Sequence, residues 1–253
     1  MSQPGTVRVG VGGWTFEPWR DNFYPKGLPH AQELRHASRR LTAIEVNGTF
    51  YSTFQAATFA KWRDETPDGF VFTLKAHRST TNRRELAGAR DAIARFLGSG
   101  VTELGSKLGP ILWQLMPTKK FDAHDLEAFL ALLPREQDGL ALRHVLEVRH
   151  ESFHDPAYLP LARRYGTVTV HTDSPKFANI ADPQAPFAYL RLMRSAPDVS
   201  TGYAPAMLDA WAEGARQWAA GGRDAYVFFI NGAKERAPAA ATALLQRLGI
   251  APA

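Results

Sequence analysis

The sequence predicts an α/β fold, a TIM-like (β/α)8 barrel built on a parallel eight-stranded sheet. Three observations predict it. Eight short apolar runs rich in β-branched and aromatic residues recur along the chain, at 7–13, 41–47, 70–76, 110–115, 144–150, 167–173, 187–193 and 225–231. Most are apolar throughout rather than alternating, which suits strands covered on both faces. Their starts lie about 20–40 residues apart, the length of a strand plus its returning helix. Eight such units fill the 253 residues, a typical length for this barrel. The whole chain, 1–253, reads as a single domain with its core at about 7–248. A doubly wound open sheet is the other arrangement that the pattern permits.

Each run has a local reason. Val7, Val9 and Val11 open the first, and Gly12-Gly13-Trp14 end it. The second holds Glu45 and Asn47, the third carries Lys75, and the fourth, Pro-Ile-Leu-Trp-Gln-Leu, contains Gln114. The fifth carries Glu147, Arg149 and His150, the sixth His171 and Asp173, the seventh Arg191, and the eighth ends at Asn231. Helical patterns lie between them. Leu126, Phe129, Leu130 and Leu133 share a helical face after Asp122 as N-cap; Met207, Leu208, Trp211, Ala215 and Trp218 form another stripe, ended by Gly221-Gly222. Leu244, Leu245 and Leu248 form the last stripe, before Gly249. The stretch 174–186 has two prolines and little periodicity.

In a barrel of this kind the functional site is built where the strands end. Residues two apart on a strand face one way, so Glu45 pairs with Asn47, Glu147 with Arg149, and His171 with Asp173, while Val46 and Val148 face the helices. Charged groups within apolar strands are costly unless paired or solvated. The catalytic candidates are therefore Glu45, Lys75, Glu147 and Asp173. The substrate-binding candidates are Trp14, Asn47, Tyr51, Gln114, Arg149, Arg191 and Asn231. Lys75, Arg149 and Arg191 would hold a carboxylate or phosphate, and the carboxylates would move protons. The same six charges could instead form a self-neutralising network of ion pairs at the barrel mouth. A divalent-metal site at Glu45, Glu147, Asp173 and His171 is a further alternative; the leading assignment uses no metal and no cofactor.

Composition narrows the classes. Hydrophobic residues make up 45% and charged residues 22%, and there is no cysteine, which removes disulfides, thiolate metal sites and a thiol nucleophile. The net charge of +5 favours anionic partners. The basic pairs Arg39-Arg40, Arg83-Arg84, Lys119-Lys120 and Arg163-Arg164 are scattered, which reads as solvated surface rather than a nucleic-acid face. A small anionic molecule is thus the expected partner, with binding of a single-stranded nucleic acid as the weaker alternative. No run of residues is apolar enough to span a membrane, and no export signal is read at the start, so the expected location is the cytoplasm.

Some motifs fail on mechanism. His150-Glu-Ser-Phe-His154 matches a zinc-protease helix in letters, but it leaves a predicted strand and runs into Asp155-Pro156, which opposes a helix. Gly10-Val-Gly12-Gly13 follows a strand, but Thr15 stands where a dinucleotide loop needs its third glycine. The aromatics Trp14, Phe16, Trp19, Phe23 and Tyr24, then Phe50, Tyr51 and Phe54, follow the first two strands. They form either a stacking surface for a flat ligand or a second small core over the barrel end.

Several spaced motifs run together: Gly10-x-Gly12-Gly13-Trp14, Trp19-x3-Phe23-Tyr24-Pro25, Glu45-x-Asn47-x-Thr49-Phe50-Tyr51, and Trp62-x3-Thr66-Pro67-x-Gly69-Phe70. They continue with Lys75, Lys107-Leu-Gly-Pro-Ile-Leu-Trp-Gln114, Glu147-x-Arg149-His150-x-Ser152-Phe153, Asp173, Tyr189-x-Arg191 and Tyr226-x2-Phe229-x-Asn231. In these the chain resembles the DUF72 (YecE-like) family over nearly its whole length. The resemblance implies a TIM-like barrel and no particular reaction. Three positions depart from the family pattern: Thr81-Asn82 where Thr-His is usual, Leu115-Met116-Pro117 where Leu-Pro-Pro is usual, and Asn231-Gly232 where Asn-Asn is usual.

Overall fold

The structure is a computed structural model and describes residues 3–251. Among these described residues eleven strands follow in chain order: β1 (Val7–Gly12), β2 (Ala43–Val46), β3 (Val71–Lys75), β4 (Leu108–Gln114), β5 (Glu136–Gln137), β6 (Leu140–Ala141), β7 (His144–Glu147), β8 (Thr167–Thr169), β9 (His171–Thr172), β10 (Ala188–Leu192) and β11 (Ala225–Phe229). Among the described residues eight α-helices lie between them: α1 (Glu33–Ala37), α2 (Gly48–Tyr51), α3 (Ala56–Glu65), α4 (Arg90–Leu97), α5 (Ala123–Leu130), α6 (Tyr158–Arg164), α7 (Pro205–Ala220) and α8 (Ala237–Leu248). The main sheet has nine strands in the order β8-β7-β4-β3-β2-β1-β11-β10-β9. This alternation of strand and helix is the TIM-like barrel class that the sequence predicts.

All eight predicted runs supply strands to the main sheet, and one of them is split. The run 167–173 is interrupted at Val170, so it supplies two strands, β8 and β9, which stand at opposite ends of the sheet order. A hairpin, β5–β6, also went unpredicted. Its turn is Asp138-Gly139, with φ of 49° and 78°; two consecutive positive φ values match the twist of an antiparallel pair.

The chain falls into two compact units. The first comprises Met1–Glu45, Asp64–Val71 and Pro186–Ala253; the second comprises Val46–Arg63 and Phe72–Ala185. In the first, β10, β11, β1 and β2 pair in parallel, with Leu190 opposite Val227, Val9 opposite Val227 and Val11 opposite Ile44. These side chains are buried, as expected of strands covered on both faces. Gly10 is required by this pairing, because a Cβ there would lie 1.8 Å from the Ala43 carbonyl oxygen. The helix α7 buries Leu208, Ala212, Ala215 and Ala219. The predicted stripe is therefore rotated: Met207 is exposed, and Trp211 and Trp218 lie at the margin. Small alanines let the helix approach the sheet, while the larger residues border it. The last helix, α8, ends at Gly249 with φ of 67°, the left-handed cap that the Leu-Gly ending predicts.

In the second unit, β3, β4, β7 and β8 pair in parallel. Fully buried Trp113 of β4 packs edge-on between Phe96 and Phe129. Its indole Nε1 donates to His144 Nδ1 at 3.1 Å. His144 Nε2 then carries the proton and donates to the Pro134 carbonyl at 2.7 Å. Burial pushes this imidazole below the usual histidine range and outweighs the upward pull of the Pro134 carbonyl. The cap read at Asp122 is present: its carboxylate accepts the Asp125 amide at 3.0 Å at the start of α5. Leu133 lies beyond the end of α5 but is buried. Among the described residues no helix or strand falls between Thr172 and Ala188, in line with the missing periodicity there.

Candidate functional site

The residues singled out from the sequence fall into two groups, one in each unit. In the first unit, Glu45 of β2 is fully buried. Arg191 of β10 donates to it from Nε at 3.0 and 3.3 Å and from Nη2 at 2.9 Å, so the guanidinium spans both carboxylate oxygens. Tyr189 Oη adds a third donor at 2.8 Å. Tyr189 and Arg191 are two apart on one strand, so both side chains reach the same face. Trp14 is half-buried, and its carbonyl accepts from Tyr24 Oη at 2.5 Å. Asn231 is exposed.

The aromatics after β1 form a small core of their own. Trp19 is fully buried, with Phe16, Phe23 and Tyr24 around it at ring distances of 5.6, 6.1 and 6.5 Å. Tyr51 of the second unit is different: it is 64% exposed. The first aromatic group is thus packing, and Tyr51 is available surface.

In the second unit the pair Glu147 and Arg149 does face one way. Arg149 donates from Nε and Nη2 to Glu147 Oε1 at 3.3 and 3.1 Å, and from Nη2 to Gln114 Oε1 at 2.7 Å. Gln114 and Glu147 are opposite one another in the register of β4 and β7, which is why one guanidinium reaches both. Its plane lies 4.3 Å from the ring centre of Phe177. Lys75 of β3 is buried with its ammonium 4.0 Å from the ring centre of Phe50. Thr49 ties that loop to the same strand by donating to the Lys75 carbonyl at 2.7 Å. Asn47 is half-buried at the start of α2. Asp173 is half-buried, and its charge draws the His171 imidazole upward while burial, the larger effect, pushes it down.

Beside Arg149 lies a cleft of about 540 Å³. Its lining includes Pro117, His150, Glu151 and His154, and also Lys176, Phe177 and Asn179. The His150-x-x-x-His154 segment is a single 3-10 turn rather than an α-helix, so the two imidazoles are not stacked as a zinc-protease helix would place them. His150 caps that turn: its Nδ1 accepts the Ser152 amide at 3.1 Å, which leaves the proton on Nε2. Among the described residues no group of three or more His, Asp or Glu side chains is placed to hold a metal ion. Sequence reasoning missed Lys176, Phe177 and Asn179, which lie on the segment without periodicity. It named His150 and His154 but gave them no role once the zinc motif had been set aside.

The family model described as "Protein of unknown function DUF72" matches residues 8–253. The chain belongs to the DUF72 family. The UPF0759 protein YecE of Escherichia coli is 26% identical over 150 residues, 58% of this chain and 50% of its own length. The UPF0759 protein YunF of Bacillus subtilis is 28% identical over 78 residues, 31% of this chain and 27% of its own length. The chain thus spans about half the length of the YecE relatives that it matches. Two crystal structures of DUF72 proteins share the fold. One, from Enterococcus faecalis, has a TM-score of 0.75 at 16% identity and covers 97% of this chain and 96% of its own. The other, from Thermotoga maritima, has a TM-score of 0.74 at 22% identity and covers 94% and 96%.

The departures of this DUF72 chain from the family pattern have local settings. Gly232 stands where the family pattern has Asn, with φ of 84°; a Cβ there would lie 2.5 Å from the Ser195 carbonyl oxygen. Only glycine fits that turn without a shift. Asn82, in place of the family's His, is exposed. Pro117, which closes Leu115-Met116-Pro117, lines the cleft.

Proposed function

We propose that the chain binds a small anionic metabolite in the cleft beside Arg149 and acts on it by proton transfer. The observation that carries this reading is the half-used guanidinium of Arg149. Its Nε and Nη2 are held by Glu147 and Gln114, and its flat face rests on Phe177. The Nη1 end makes no protein hydrogen bond among the described residues and belongs to a residue that lines the cleft. Two N–H groups on a fixed cation are a donor set for a carboxylate or phosphate. Lys176 adds positive charge at the rim, against Glu151 as the acid of the lining.

In this reading Glu147 and Gln114 position Arg149 rather than react. Glu45 has both oxygens engaged by Arg191 and one also by Tyr189, which suits an anchor better than a base. His150, with its proton on Nε2, is the group placed to exchange a proton with a bound anion's neighbouring atom. Lys75 and Asp173 lie outside the cleft lining and carry no assigned step.

The test is thermal unfolding of the chain with inorganic phosphate or malonate at constant ionic strength. A ligand present at 100 times its Kd adds about 2.7 kcal/mol of stability. The midpoint should rise in the wild type and stay put in Arg149→Gln. Equal shifts in both proteins would refute the assignment. A shift produced by single-stranded DNA alone, and lost steeply with salt, would favour the nucleic-acid alternative. Turnover of a phosphorylated or carboxylated metabolite, once found, should vanish in His150→Gln while binding remains.

A further inference from the structure

Lys234 lies five residues past the end of β11, on the loop that leads to α8. That loop is held still. Ser195 Oγ donates to the carbonyls of Asn231 at 2.8 Å and Ala233 at 3.1 Å, and the Ala233 amide donates back to Ser195 at 2.8 Å. Trp19 Nε1 donates to the Lys234 carbonyl at 2.8 Å. The side chain runs against aromatic walls, with Nζ 4.4 Å from the ring centre of Phe16 and 5.8 Å from that of Trp19. No carboxylate lies within ion-pair reach of this ammonium, and no protein acceptor takes its hydrogens, among the described residues. Glu235 and Arg236 share its turn; Arg236 is turned to the Pro197 carbonyl at 3.2 Å. Lys234 is nonetheless half-exposed, so a solute can reach it.

We propose that Lys234 is a nucleophilic lysine that takes a flat carbonyl compound, an aryl aldehyde being the simplest case, as an imine. Burial without a counter-charge pushes its ammonium below the usual lysine range and so raises the share of free amine. The amine nitrogen adds to the carbonyl carbon, and one of its protons passes to the oxygen to give a carbinolamine. The C–O bond then breaks, the oxygen leaves as water, and a C=N bond remains. The part-exposed ring of Phe16 stacks on the flat group, while buried Trp19 backs the wall from within. This site lies in the first unit and does not depend on the anion cleft.

The experiment is reductive trapping of the whole chain with benzaldehyde and cyanoborohydride at pH 7.5, read by peptide mass mapping. Hydride from the reagent converts the imine to a secondary amine, which marks the residue. Lys234 should be labelled about tenfold faster than the exposed Lys26, Lys120 and Lys176, as befits an amine with a lowered pKa. Phe16→Leu, which keeps apolar bulk and removes the ring, should cut that preference several-fold while the unfolding midpoint stays near the wild type. Labelling of Lys234 no faster than that of the exposed lysines would overturn the proposal. So would an unchanged preference in Phe16→Leu.

Discussion

Replacing Arg191 by Met keeps an unbranched stem of similar length and removes the guanidinium that spans Glu45. The pair is buried on both sides, at 2% and 0% exposure. At about 3 Å and an effective dielectric near 20, the attraction is about 5–6 kcal/mol. Desolvating each ion costs several kcal/mol, so the intact pair contributes little net stability. Breaking it is another matter. Glu45 would stay buried with Tyr189 Oη but without its bidentate partner, at a cost of about 3–5 kcal/mol. For a chain of this size that lowers the midpoint by about 6–20 °C. The double variant Glu45→Met/Arg191→Met removes both charges, so it should be less destabilised than the sum of the single variants by about 2 kcal/mol. Calorimetry and urea unfolding read these values. A loss below about 1 kcal/mol for Arg191→Met, or strict additivity in the double variant, would refute the anchor role argued for Glu45.

Other perturbations follow from named contacts. Asp122→Ala removes the cap of α5 and should cost about 1 kcal/mol, read as a midpoint about 2–4 °C lower; no change would mean that the cap is idle. Gly10→Ala places a methyl group 1.8 Å from the Ala43 carbonyl oxygen, so β1 and β2 must part, at about 3 kcal/mol or more by urea unfolding. His144 should make stability fall with acid. Its folded pKa is lowered, so the unfolded chain binds the proton more readily, and stability present above about pH 6.5 is lost progressively below it. His144→Gln should flatten that part of the pH profile, and an unchanged slope would assign the effect elsewhere.

How much was legible depends on what each residue's neighbours are. The strands were legible because burial on both faces leaves a near-continuous apolar run, as in Pro-Ile-Leu-Trp of β4. The hairpin was missed although Asp138-Gly139 is a strong turn signal, because Glu136-Gln137 and Leu140-Ala141 are too short to show alternation. The rotated face of α7 was missed because Trp and Met outweigh Ala on any hydropathy reading, while helix-on-sheet contact favours the smaller side chain. At the site, Glu147 and Arg149 were legible as a same-face pair. The reach of Arg149 to Gln114 depends on strand register, and its stacking on Phe177 depends on a segment with no period at all. Tyr189 as a partner of Glu45 could have been found by the two-residue spacing that placed Arg191.

The segment between Thr172 and Ala188 is held by short-range bonds: Ser174 and Lys176 amides to the side chains of Thr172 and Ser174, and the Ala178 amide to the Arg149 carbonyl. Arg163 secures its far part by gripping Asp182. It lends one wall to the cleft and no rung to the sheet ladder. Heritable change is therefore cheap there. Altered letters at Lys176, Phe177 or Asn179 would redraw what the cleft accepts while the cooperative melting of the sheet goes on as before. Ligand preference in such a chain can drift faster than its architecture.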